Sequence, residues 1–232
     1  MPPSLILESV MSDSAFPFTH EMVVVHKLFR REFTQGPSWV RRVAAGDTKQ
    51  AQVVYVHMKK QFDLLHHHHE AEDINLWPRL RERATDQQEL LDTMEGQHRG
   101  IDPALAKAEE LGAAWAQTAD PGARDAFADA IEEFSGPILA HLDQEEAHIL
   151  PLAQQYLTEE EWGLLAKHVL ATTPKQDLVK GLGGILEDAT PDERDMMLGV
   201  IPAVPKFLYQ AFVKRSYIKD ATAVRGVAPV GL

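Results

Sequence analysis

The feature that most constrains this chain is a unit that occurs twice. His68-x-x-x-Glu72 is followed by Pro78, ten residues after its histidine, and His141-x-x-x-Glu145 by Pro151 at the same distance. A lone histidine precedes each unit, His26 by 42 residues and His98 by 43. Positions four apart lie on one face of an α-helix, about 6 Å from each other, so each His and Glu pair can grip neighbouring ions from the same side. Helices that contribute His, His plus Glu, His, and His plus Glu carry the pattern of a dinuclear metal site. The duplicated spacing further implies two helical hairpins related by a pseudo-twofold. It predicts an all-α, up-down-up-down four-helix bundle followed by additional short C-terminal helices.

Apolar periodicity shows where the histidines point. The first helix reads Met22, Val25, His26, Phe29, Phe33 and the second Val54, His57, Gln61, Leu65, His68, Glu72, Leu76. The third reads Leu91, Met94, His98, Ile101, Leu105, Ala108, and the fourth Phe127, Ile131, Phe134, Ile138, His141, Glu145, His148, Leu152. A buried carboxylate without a partner costs several kcal/mol, so a core-facing Glu beside a His demands a cation. Helix starts are marked by Asp47 with Gln50, Thr85 with Gln88, Thr158 with Glu161 and Thr190 with Glu193 as capping boxes, and by Asp120-Pro121. The first helix is expected to begin near Thr19 and to end before Gly36-Pro37, and Pro78, Pro103 and Pro151 each to kink or end a helix. Residues 1–157 then form the bundle with its metal site. Residues 158–232, with the segment Pro202-Ala203-Val204-Pro205, form a helical extension packed on it.

Composition narrows the chemistry. With no cysteine among 232 residues, thiolate metal sites, disulfides and cysteine nucleophiles are excluded, leaving imidazole and carboxylate donors. Neither a basic leader at Met1 to Glu8 nor a run of ~18 apolar residues is present, which gives the expectation of a cytoplasmic protein without a membrane span. A net charge of -12 disfavours nucleic acid as a partner. The locally basic stretch of Lys206, Lys214, Arg215, Lys219 and Arg225 reads as a solvated helix face.

The ordered combination of His26, His68-x-x-x-Glu72 before Leu76-Trp77-Pro78, His98, and His141-x-x-x-Glu145 before Ile149-Leu150-Pro151 resembles the hemerythrin-like, or HHE cation-binding, family over roughly residues 15 to 157. The resemblance implies a centre of two Fe ions, with His26, His68, His98 and His141 as terminal ligands and Glu72 and Glu145 as bridging carboxylates. Oxygen-carrying members have a further histidine one turn before the third-helix ligand, where this chain has Met94. Glu95, His69, His148 and water are the candidates to fill that position. His66 and His67 read as solvent-facing or orienting residues, His57 as too distant, and His20 and His168 as structural. Glu70, Asp73, Asp143 and Glu146 flank the ligands, where a carboxylate either orients an imidazole N–H or lies on a solvated face. Trp77, Phe29 and Phe134 read as core packing.

The function implied is binding of, or reaction with, O2, peroxide or nitric oxide at the di-iron centre. Two rivals remain: a non-catalytic iron- or oxygen-responsive regulatory module, and a di-iron oxygenase acting on an organic substrate. Gly181-Leu182-Gly183-Gly184 does not match a dinucleotide-binding fingerprint, so a steady redox cycle requires a separate reductase or a reaction that needs none, such as peroxide dismutation.

Overall fold

The computed structural model describes residues 17–200 and 214–229, and every regular element among them is helical. Met1 to Glu8, Pro202-Ala203-Val204-Pro205 and Lys206 lie outside the described residues. Four long helices, α1 (His20–Arg41), α2 (Thr48–Asn75), α4 (Gln88–Thr118) and α5 (Pro121–Gln144), each pack on two of the others: α1 on α2 and α5, α4 on α2 and α5. The short helix α3 (Trp77–Arg83) follows α2, and α6 (Leu150–Tyr156) follows α5 after a π-helical turn, Glu145–Ile149. Beyond them come α7 (Glu159–Thr172), α8 (Lys175–Glu187), α9 (Pro191–Val200) and α10 (Lys214–Arg225). Among the described residues no helix is long and apolar enough to cross a membrane.

Local chemistry explains most helix boundaries. Asp47 and Asp120 accept from the backbone N–H groups of Gln50 and Ala123, and Thr158 with Glu161 closes a full capping box. Thr190 and Glu193 exchange the same pair of bonds at 3.3 and 2.8 Å. Thr85 does not cap: α4 starts after Gln87, and the Gln88 side chain instead donates back to the carbonyls of Arg81 and Ala84.

Contrary to expectation, α1 runs straight through Gly36-Pro37 to Arg41. Pro37 cannot donate to the carbonyl of Phe33, but the Ser135 hydroxyl on α5 stands 2.8 Å from that oxygen and 2.7 Å from the Ile131 carbonyl, so its one proton is shared between them. Helix α4 likewise continues through Pro103, whereas Pro78 and Pro151 sit in the first turns of α3 and α6, where a missing N–H costs nothing.

Two apolar layers enclose the middle of the bundle. One contains Phe29, Phe33, Phe62, Phe127 and Phe134; the other contains Met22, Leu76, Trp77, Leu91 and Met94. Close approach of α4 to its neighbours depends on Gly112, where a Cβ would stand 2.8 Å from the Phe127 ring and 2.9 Å from Tyr55.

Helix α1 has a second buried face, because Val24 packs with Leu182, Leu186 and Met197 of the later helices. A buried ionic network reinforces this contact. Glu32 on α1 accepts from His57 at 2.6 Å, Arg31 at 2.9 Å and Arg225 at 3.0 Å, and Arg225 donates to Glu187 at 2.7 Å. His57 is therefore a partner of Glu32, and Arg225 is part of this network and not of a solvated face. A cleft of about 690 Å³ follows the outer face of α2 between α8 and α10, with Val56, His57 and Tyr217 in its wall.

Candidate metal centre

Midway along the bundle all six residues singled out by spacing converge. His26, Glu72, His141 and Glu145 have no exposed surface, His68 retains 6% and His98 2%. Three overlapping groups have their donor atoms within 4.8 Å of one another: His26, His68 and Glu145; His69, His98 and His141; Glu72, His141 and Glu145. Each carboxylate stands between the two imidazole groups. Glu72 has Oε1 at 3.1 Å from His68 Nε2 and Oε2 at 3.4 Å from His98 Nε2, while Glu145 Oε2 lies 3.3 Å from His26 Nε2 and 3.9 Å from His141 Nε2.

These atoms approach one another without forming hydrogen bonds. Eight buried atoms of the cluster have no hydrogen-bond partner: Nε2 of His26 and His68, both ring nitrogens of His69, and all four oxygens of Glu72 and Glu145. At about 1–3 kcal/mol per orphaned group the penalty is of order 10 kcal/mol, comparable with the ~5–15 kcal/mol that separates a typical folded domain from its unfolded state. Cations at the cluster relieve most of it, all but the N–H that His69 keeps on its second ring nitrogen.

The pair His98 and His141 gives the sharpest test of fit. His98 Nδ1 faces Asp73 Oδ1 and His141 Nδ1 faces Gln97 Oε1, each at 2.9 Å, so both Nδ1 atoms carry the proton. With both rings neutral the two Nε2 lone pairs meet at 3.1 Å, a repulsive contact unless a positive charge stands between them. Two nitrogens bound at ~2.1 Å to one ion at a right angle lie ~3.0 Å apart. A divalent cation fits.

A family model, the hemerythrin HHE cation binding domain, matches residues 18–153, more than half of the chain. The chain belongs to the hemerythrin HHE family. No curated protein and no solved structure matches it. Cation binding is thus the property of the domain, and the His and Glu cluster is where this hemerythrin-type bundle is built for it.

The electrostatics of the hemerythrin cluster agree with a missing positive charge. Burial, reinforced by the nearby charges of Glu145 and Asp73, raises Glu72 well above the ordinary carboxylate range. Burial acts in the same sense on Glu145, but His26, His141 and His68 outweigh it and hold that carboxyl down at about 2. Burial lowers His68 to about 3 and His141 to about 4, the neutral form in which imidazole binds a metal. For His26 burial is overcome by Glu145 and Glu146, which raise it.

The candidates for a further donor separate cleanly. Glu95 is half-buried and paired with Arg81 at 2.8 Å, outside the cluster. His148 is exposed, contrary to the stripe expected for the fourth helix. The π-helical turn that begins at Glu145 inserts one residue into the helical period, so Ile149 takes the buried position and His148 turns to solvent. His69 is buried at the cluster. Of the flanking carboxylates, Asp73 orients His98 and Glu146 Oε1 accepts from His26 Nδ1 at 2.8 Å. Asp143 binds Arg30, which also donates to Glu146, and Glu70 binds His168. Gln97 escaped the sequence reading, which considered only carboxylates. Its signal is its place beside His98 on α4, and its amide is fixed in turn by donating to Gln144 at 3.0 Å.

Proposed function

We propose that this domain holds two iron ions between His26, His68, His98, His141, Glu72 and Glu145 and uses them to bind or react with O2, peroxide or nitric oxide. The eight orphaned atoms at the meeting point of four helices carry the proposal, and the carboxylates standing between two imidazole groups support a pair of ions over a single one. Iron rests on the family, since mixed imidazole and carboxylate donors also suit manganese and zinc. Bound iron supplies one-electron chemistry toward small oxygen and nitrogen species.

The protein's own part is positional. Asp73, Glu146 and Gln97 hold three imidazoles with Nε2 turned inward. The layers of Phe29 and Phe33 on one side and Met94 and Trp77 on the other exclude water. Short connections between the long helices favour the up-down-up-down arrangement, with residues 158–232 as its extension. A steady redox cycle draws electrons from a separate reductase.

The deciding experiment follows the visible absorption of anaerobic, ferrous-loaded protein as air is admitted and then removed. A reversible band identifies a carrier or sensor, and an irreversible one a redox enzyme. Iron that raises the melting temperature while no O2, peroxide or nitric oxide is bound or consumed replaces this function with that of a metal-responsive module.

A further inference from the structure

His69 is a nearly fully buried imidazole, 3% exposed, and neither of its ring nitrogens has a hydrogen-bond partner. It follows His68 on α2, about 100° further round the helix, so α2 turns two successive imidazoles into the bundle. Its ring stacks on His98 with centroids 4.0 Å apart and planes 14° from parallel, and it meets His141 edge-on at 5.2 Å. On α4, Met94 belongs to the apolar layer with Trp77 and Leu91, so that helix sends only His98 to the cluster. A packing role leaves two polar atoms without partners when phenylalanine would fill the same space, whereas metal ligation uses the lone-pair nitrogen and leaves only the N–H.

We infer that His69 is a metal ligand: with His98 and His141 it forms a three-imidazole position, while His26 and His68 form a two-imidazole position across Glu72 and Glu145. The inference rests on the dinuclear site proposed above and adds to it that the further imidazole comes from α2 and not from α4, so that α2 supplies three of the donors. His69 also differs from His26, His98 and His141 in having no side chain that orients its second nitrogen. Its direction is set by the stack on His98.

Anaerobic titration with cobalt(II), read by absorption and by metal content after desalting, tests this. Wild type is expected to take two ions per chain. His69→Phe, which keeps the stack but removes the donor, is expected to bind one of them at least about tenfold more weakly, as loss of a ligand-shell partner already costs 10–100-fold. In His69→Ala, added imidazole is expected to restore the second ion and its spectrum. Unchanged affinities in His69→Phe overturn the inference while leaving the dinuclear site intact. If His69→Phe loses both ions, recovery of His69→Ala with imidazole supports the ligand role and failure to recover overturns it. Wild type that binds no metal overturns the dinuclear site and this inference together.

Discussion

Replacing Glu72 with leucine should make the metal-free protein more stable while blunting its response to metal. In the metal-free chain Glu72 buries two oxygens with no hydrogen-bond partner. At about 1–3 kcal/mol each the nominal penalty is roughly 2–6 kcal/mol. Protonation of Glu72, whose carboxyl is raised well above its ordinary value, relieves part of it. What protonation leaves unrelieved is about 1–4 kcal/mol, so Glu72→Leu should melt about 2–16 °C above metal-free wild type, at ~2–4 °C per kcal/mol for a chain of this size. Binding works the other way: an ion present at a thousand times its dissociation constant adds about 4 kcal/mol, and wild type has two to gain. Thermal unfolding followed by circular dichroism, with chelator and with ferrous iron under anaerobic conditions, should rank loaded wild type above the variant and the variant above metal-free wild type. Metal-free wild type as stable as the variant, or metal raising both equally, would refute the cost assigned to the orphaned atoms.

Asp73→Asn and Glu146→Gln should each weaken metal binding about 10–100-fold in an anaerobic titration, whereas Asp143→Asn, exposed and bonded to Arg30, should leave it within about threefold. Ser135→Ala removes the donor that the Phe33 carbonyl shares with Ile131 and should cost about 0.5–1.5 kcal/mol in urea unfolding; no loss would show that α1 tolerates Pro37 by another route. Glu32 tests the buried network through pH. Burial opposes its charge, but His57, Arg31 and Arg225 outweigh that and hold the carboxyl at about 2 against an ordinary 4.5. Its folded value is depressed, so its stabilisation is complete above about pH 4.5 and is lost as pH falls through about 2. The stability difference between wild type and Glu32→Gln should therefore shrink by roughly 3 kcal/mol across that window, and a difference independent of pH would exclude this source.

The His and Glu cluster was legible because a helix face is periodic: positions 68 and 72, or 141 and 145, share one whatever surrounds them. Asp47, Asp120, Thr158 and Thr190 were legible for the same local reason. What escaped depends on partners far away in sequence. Pro37 looked like a helix end because its remedy, Ser135, lies 98 residues later. Glu32 and His57 carried no recognisable signal because each is explained by the other and by Arg225. The buried faces of α1 were undercounted since the helices covering Val24 follow the bundle. His148 was misplaced because a π-helical turn, invisible in a 3.6-residue period, begins at Glu145. His69 sits beside His68, and only the side on which its ring stacks distinguishes it from His66 and His67.

The central claim is a pair of ions held by four histidines and two glutamates. Metal analysis of anaerobically ferrous-loaded, desalted protein tests it most directly, with wild type beside Glu72→Ala/Glu145→Ala. Two irons per chain in wild type and none in the double variant is the result this structure predicts. Two irons retained by the double variant, or one or none in wild type, would contradict it.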